Sequence, residues 1–127
     1  MKITPLLAAL ALSLSLGLPA TALAHPKLLS ASPAANATVG ATKRVTLNFS
    51  ERLLPKLSGG ELVMTGMPGM AAHGPMKVAV TATVGGDGKT LDLVAGRPLA
   101  AGSYRLDWHV VSTDTHRITG SLGFTVR

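Results

Sequence analysis

The sequence predicts an all-β protein folded as a sandwich or barrel. Three observations carry this reading. Apolar and polar residues alternate in short runs, glycine-containing turn signals separate the runs, and no stretch sustains a helical period. Val45, Leu47 and Phe49 alternate with Thr46, Asn48 and Ser50. Leu53-Leu54-Pro55 carries a proline and reads as a loop or one short turn. Leu62 and Met64 flank Val63 in the second run. Met76, Val78 and Val80 form the third, and Leu91 and Leu93 the fourth. Tyr104, Leu106, Trp108 and Val110 alternate in the fifth, and Leu122, Phe124 and Val126 close the chain. Between these runs stand Ser58-Gly59-Gly60, Gly85-Gly86-Asp87-Gly88 and Ala100-Ala101-Gly102. The predicted core is Val45, Leu47, Phe49, Leu62, Leu91, Leu93, Leu106, Trp108, Val110, Leu122, Phe124 and Val126. Gly102-Ser103-Tyr104, at the mouth of a late strand, has the form of a tyrosine corner.

The 127 residues make room for one domain. Residues 1–24 read as a secretory signal peptide. Met1-Lys2 is a basic start, residues 6–18 are an apolar run, and Ala22-Leu23-Ala24 is an Ala-x-Ala cleavage site. The apolar run is short for a membrane span, and no second one follows. Residues 25–127 are then the β domain, beginning at His25. Ala20-Thr21-Ala22 also satisfies the cleavage pattern and would leave Leu23-Ala24-His25 at the terminus.

Composition excludes several functions. Without cysteine there is no disulfide, zinc–thiolate site or thiol nucleophile. One Trp, one Tyr and two Phe do not make a stacking platform for single-stranded nucleic acid. The net charge of +6 is spread over scattered basic residues, of which only Lys43 and Arg44 are adjacent. That pattern is a solvated surface and not a nucleic-acid footprint.

Two constellations point to metal. In residues 64–76, Met64, Met67, Met70, His73 and Met76 recur every third position. Thioether sulfur is a soft, neutral ligand suited to Cu(I). A methionine stripe on a helix would be core packing. Gly66, Pro68, Gly69, Gly74 and Pro75 exclude a helix and make the segment a surface loop.

The second constellation joins His25, Asp114 and His116. Cleavage after Ala24 gives His25 both an imidazole and an α-amine, whose pKa of about 8 lets a metal displace its proton near neutrality. That chelate suits Cu(II), which prefers tetragonal N and O donors. Pro26 offers no second amide N–H, so equatorial positions stay open for other groups. Asp114 and His116 stand at i and i+2, and on an extended segment they face one side together. His109 and Asp107 fall out of phase with the apolar face of their run and are expected on the surface.

These residues resemble the CopC family of periplasmic copper-resistance proteins. The resemblance runs through His25-Pro26-Lys27-Leu28, Ser32-Pro33-Ala34-Ala35 and Asn48-Phe49-Ser50-Glu51. It continues in the Met loop, Leu99-Ala100-Ala101-Gly102-Ser103-Tyr104-Arg105-Leu106-Asp107-Trp108, Ser112-Thr113-Asp114-Thr115-His116-Arg117-Ile118-Thr119-Gly120 and Phe124-Thr125-Val126. It implies a Greek-key β-sandwich or barrel, cupredoxin-like or immunoglobulin-like, with copper sites at opposite ends. Cu(II) maps to His25, Asp114 and His116. Cu(I) maps to Met64, Met67, Met70, His73 and Met76, about four of which bind at once. His109 stands where the resemblance leads one to expect Arg. It also implies a periplasmic location, a CopD-like membrane partner and other copper-resistance proteins as partners.

The expected function is a copper carrier or buffer and not a catalyst. Lytic polysaccharide monooxygenases also use an N-terminal His chelate on a β-sandwich. Here Asp114 takes an equatorial position, and the aromatics for a flat polysaccharide face are lacking. A metal-free adhesion or assembly module is the third reading.

Overall fold

The computed structural model describes residues 25–68 and 74–127. The expected signal peptide, and Met70 and His73 of the Met loop, lie outside the described residues. Nine strands follow in order: β1 Leu28–Ser32, β2 Thr38–Val39, β3 Arg44–Phe49, β4 Gly59–Gly66, β5 Met76–Val78, β6 Val80–Val84, β7 Thr90–Ala95, β8 Gly102–Val111 and β9 Arg117–Val126. They form two sheets. One has four strands in the order β1-β3-β7-β6, the other five in the order β2-β9-β8-β4-β5. Of the sandwich and the barrel, the chain forms the sandwich.

Alternation produces this core directly. In β3 and β7, Val45, Leu47, Phe49, Leu91, Leu93 and Ala95 are buried while their neighbours are partly solvated. β8 and β9 do the same from the facing sheet, with Tyr104, Leu106, Trp108, Val110, Leu122, Phe124 and Val126. All twelve predicted core residues are buried. Leu53, Met64, Leu99 and Tyr104 join them. The Tyr104 hydroxyl donates to the Ala100 carbonyl at 2.5 Å, which is the tyrosine-corner hydrogen bond. Its ring stacks on Phe124.

Two features differ from the periodic reading. The run from Met76 to Val80 is not one strand. β5 pairs with β4, and after Ala79 the chain crosses to the other sheet, where β6 pairs with β7. Small and β-branched residues continue on both sides of the crossing, so composition does not mark it. β1 and β2 carry no alternation. β1 is an edge strand paired only to β3, and β2 is a two-residue parallel pairing along the end of β9. The Pro55–Leu57 segment is a short 3-10 turn, as its proline requires.

β8 is the backbone of the larger sheet. It pairs along its whole length with β9 and along most of it with β4. Trp108 stands directly opposite Gly120 on one side and Gly60 on the other. A Cβ at position 120 would stand 2.1 Å from Cζ2 of the Trp108 indole, far inside contact distance, and that indole also packs edge-on against Phe49 at 5.2 Å.

Gly120→Ala is therefore expected to lower the unfolding free energy by about 1–3 kcal/mol, since the indole must leave its rotamer or the ladder must open. A Cβ at Gly40 would meet nothing within 4 Å, so Gly40→Ala should change it by less than about 0.5 kcal/mol. Denaturant unfolding followed by the fluorescence of Trp108, the single tryptophan, checks both.

Candidate metal centre

His25 is placed by the residues that follow it. Pro26 is buried. The Lys27 N–H donates to Ser50 Oγ and the Ser50 N–H to the Lys27 carbonyl, each at 2.9 Å. This pins the start of β1 beside the end of β3. The segment after Ser50 then crosses to the end of β8. Leu53 bridges to Ser112, the Leu54 N–H donates to the Val111 carbonyl, and the Val111 N–H donates to Ser58 Oγ. One stretch of chain thus ties the segment carrying His25 to the β8–β9 turn carrying Asp114 and His116.

That turn is not the extended segment expected from the i, i+2 spacing. Thr115 has φ of 69°, in the left-handed region where a β-branched residue is uncommon. Its N–H donates to the Ser112 carbonyl at 2.9 Å, closing a tight turn. Asp114 and His116 do converge, but by this reversal and not by strand pleating. The strain is of order 1–2 kcal/mol. The pattern Asp-Thr-His gives no sign of it, because Thr disfavours the conformation it adopts here.

The three side chains form one cluster. A donor atom from each of His25, Asp114 and His116 lies within 4.8 Å of the other two. His25 Nδ1 is 3.6 Å and His116 Nδ1 3.5 Å from Asp114 Oδ2, and the two rings stand 5.2 Å apart, edge to face. Donors sharing a metal with bonds of ~2 Å sit about 3–4 Å apart, so small side-chain movements complete the set. Asp114 Oδ1 accepts from the Ser112 hydroxyl and from the His116 N–H at 3.1 Å. These two donors, Ser112 first, hold the Asp114 carboxyl below the usual carboxylate range, so it is an anion at neutral pH. Oδ2 is buried and has no hydrogen-bond partner among the described residues. A buried, unpartnered carboxylate oxygen facing two imidazoles is the chemistry of a cation site.

The methionines lie at the other end of β8. Gly66 pairs with Ser103 at the start of that strand, whereas Gly59 pairs with His109 towards its end. Met64 and Met76 are directly opposite each other on β4 and β5. Met64 is only 7% exposed and belongs to the core. Met67 is half-buried and packs against that core, and Met76 is 44% exposed. The structure thus brings three methionines to one edge, and it separates Met64 from the others in access to solvent. At ~3.3 Å per residue, ten-residue β8 holds the two constellations about 30 Å apart.

His109 is on the outer face, opposite Gly59 and Thr119, away from the His25 cluster. Burial, then the nearby Arg117 guanidinium, pushes its imidazole below the usual range. Asp107 on the same face is held by Arg105 Nε at 3.2 Å and the Ser121 hydroxyl at 2.8 Å. Ser50 and Ser112 are the site residues that composition and spacing do not single out. A serine two residues before an aspartate is a common turn pattern, and only the fold shows which oxygen it holds.

A mostly antiparallel sandwich with a His–Asp–His cluster at one end and methionines at the other defines a candidate metal-binding β domain. The chain belongs to the CopC family, whose CopC domain matches residues 28–127. It is 54% identical over 108 residues to Copper resistance protein C of Xanthomonas campestris pv. juglandis, covering 85% of this chain and 84% of that protein. It is 48% identical over 114 residues to Copper resistance protein C of Escherichia coli, covering 90% of each. The crystal structure of PcoC, a methionine-rich copper resistance protein from Escherichia coli, matches with a TM-score of 0.75 at 48% identity. That match spans 82% of this chain and 100% of the other.

Replacing Thr115 tests the turn. Thr115→Gly releases about 1–2 kcal/mol of left-handed strain and adds about 0.5–1 kcal/mol of backbone entropy cost. It should leave stability unchanged or raise it by up to about 1.5 kcal/mol. Thr115→Pro cannot adopt a positive φ and should lose about 3 kcal/mol or more. Denaturant unfolding of the two variants should rank them in that order. A glycine variant well below the wild type would contradict the strain.

Proposed function

We propose that this protein is a copper carrier or buffer of the periplasm, exported by removal of residues 1–24, with one site for each oxidation state. The observation that carries this reading is the unpartnered Asp114 Oδ2 between the imidazoles of His25 and His116. Nitrogen and oxygen donors of this kind suit Cu(II). Cleavage after Ala24 adds the α-amine of His25. Nδ1, the ring nitrogen closer to the backbone, already faces Asp114 and is the one placed to chelate with that amine. The Cu(I) site draws on Met64, Met67, Met70, His73 and Met76, about four of which bind at once, and Met64 is the most buried of the described methionines. The names of the relatives, copper resistance proteins, support the same cargo.

Thioethers and N/O donors sort the ion by oxidation state, so each end holds the form the other holds poorly. The length of β8 prevents one ion from touching both sites at once. Exchange between the ends therefore runs through other molecules, with a CopD-like membrane protein and other copper-resistance proteins as the partners this reading names. With copper bound at this cluster, Asp114 would fill a position that an oxidative N-terminal-His copper enzyme leaves to oxygen, which favours a carrier over a catalyst.

Intact mass of the exported protein with one equivalent each of Cu(II) and Cu(I) tests the reading. A chain beginning at His25 should take up both ions together. His116→Ala or Asp114→Ala should weaken Cu(II) binding at least about tenfold and leave Cu(I) uptake intact. The double variant Met67→Ser with Met76→Ser should do the reverse. The reading fails if the wild type holds neither ion more tightly than zinc. A chain beginning at Leu23 would move Cu(II) to the terminal tripeptide and remove Asp114 and His116 from the site.

A further inference from the structure

Ser112 does more than fill space at the end of β8. Its side chain is 1% exposed. Its backbone is tied on both sides, by the bridge to Leu53 and by the Thr115 N–H donating to its carbonyl. The hydroxyl therefore has one fixed direction, and it donates to Asp114 Oδ1. The His116 N–H donates to the same oxygen. Oδ1 is doubly satisfied, while Oδ2 faces the two imidazoles at 3.5–3.6 Å with no hydrogen-bond partner among the described residues.

A free carboxylate can take a metal through one oxygen or both. Here the second oxygen is already engaged. We propose that Ser112 is a positioning residue whose hydroxyl fixes Asp114 as a one-oxygen ligand, so that the cluster presents Cu(II) with a square plane of nitrogens and a single oxygen. The inference rests on the Cu(II) reading of the His25 cluster and goes beyond it by naming what sets the coordination mode. Two-oxygen binding would require Oδ1 to give up both donors, and the ion would then carry one donor more than the plane holds. The turn is built so that this does not occur. Ser112 holds the carboxylate from behind and His116 holds it through its own backbone N–H, while the His116 ring faces the other oxygen.

Ser112→Ala removes the hydroxyl and leaves a buried methyl of nearly the same volume. Ser58→Ala is the matched control. Ser58 is also buried, and its hydroxyl accepts from the Val111 N–H without touching Asp114. The experiment measures Cu(II) affinity by competition, the Cu(II) electron paramagnetic resonance spectrum, and Cu(I) uptake, for the mature wild type and both variants. Expected for Ser112→Ala is a loss of Cu(II) affinity of about 10–100-fold. Its spectrum should also change, because the released carboxylate alters the oxygen donation, while Cu(I) uptake stays at the wild-type level. Ser58→Ala should keep the wild-type spectrum. A Ser112→Ala protein with wild-type affinity and spectrum overturns the inference. So does one that loses both ions together, or one whose spectrum changes no more than that of Ser58→Ala, since those results describe a packing role. A wild type that does not bind Cu(II) at all sinks the underlying site reading, and is told apart because it needs no variant.

Discussion

The indole of Trp108 occupies the space that a side chain at position 120 would fill, and this coincidence sets the register of β8 against β9. A strand slipped by one residue turns every side chain to the opposite face. For β8 that slip would place Arg105, Asp107 and His109 in the core and Tyr104, Leu106 and Val110 in water. The glycine admits the ring at one position only. Both ends of β8 inherit their places from it. The methionine-bearing edge is aligned by Gly66 against Ser103, and the Asp114 turn leaves the strand just after Val111.

The His25 cluster is assembled from distant parts of the sequence that no single strand connects. The stretch from Ser50 to Ser58 does the joining. It holds Lys27 at one end and Leu53, Leu54 and Ser58 against the end of β8 at the other. Backbone groups of Ser50, Leu53 and Leu54 share this work with the hydroxyls of Ser50 and Ser58, and the Leu53 side chain is anchored in the core. The strained Thr115 and the buried Ser112 complete the same principle. The geometry of the candidate site is set by groups outside the His25, Asp114 and His116 side chains.

What could be read in advance follows from where physics leaves a mark on composition. Alternation showed the inward residues of β3, β7, β8 and β9 because each strand has one wet face. It did not show β1, where Leu28-Leu29-Ser30-Ala31-Ser32 is an edge with little to bury, or the sheet crossing at Ala79, where both sides use the same residue types. The spacing of Asp114 and His116 was legible, but the turn that joins them was not. Met64 fits two patterns at once, the strand period and the three-residue methionine spacing, and packing decides that its side chain goes inward. The role of Ser112 depends on a burial that only the folded chain creates.

The cluster spans elements of unequal strength. Asp114 and His116 belong to the turn of a hairpin whose ladder runs the full length of β8 and β9. His25 hangs from an edge strand with a single neighbour and a break in its pairing between Leu28 and Ser30. Edge strands near a terminus open locally at a small fraction of the free energy of global unfolding. On the proposed function, an occupant of this cluster would be held by one side that can open and one that cannot, and its release is expected to follow local opening of β1 from β3 and not unfolding of the β8–β9 hairpin.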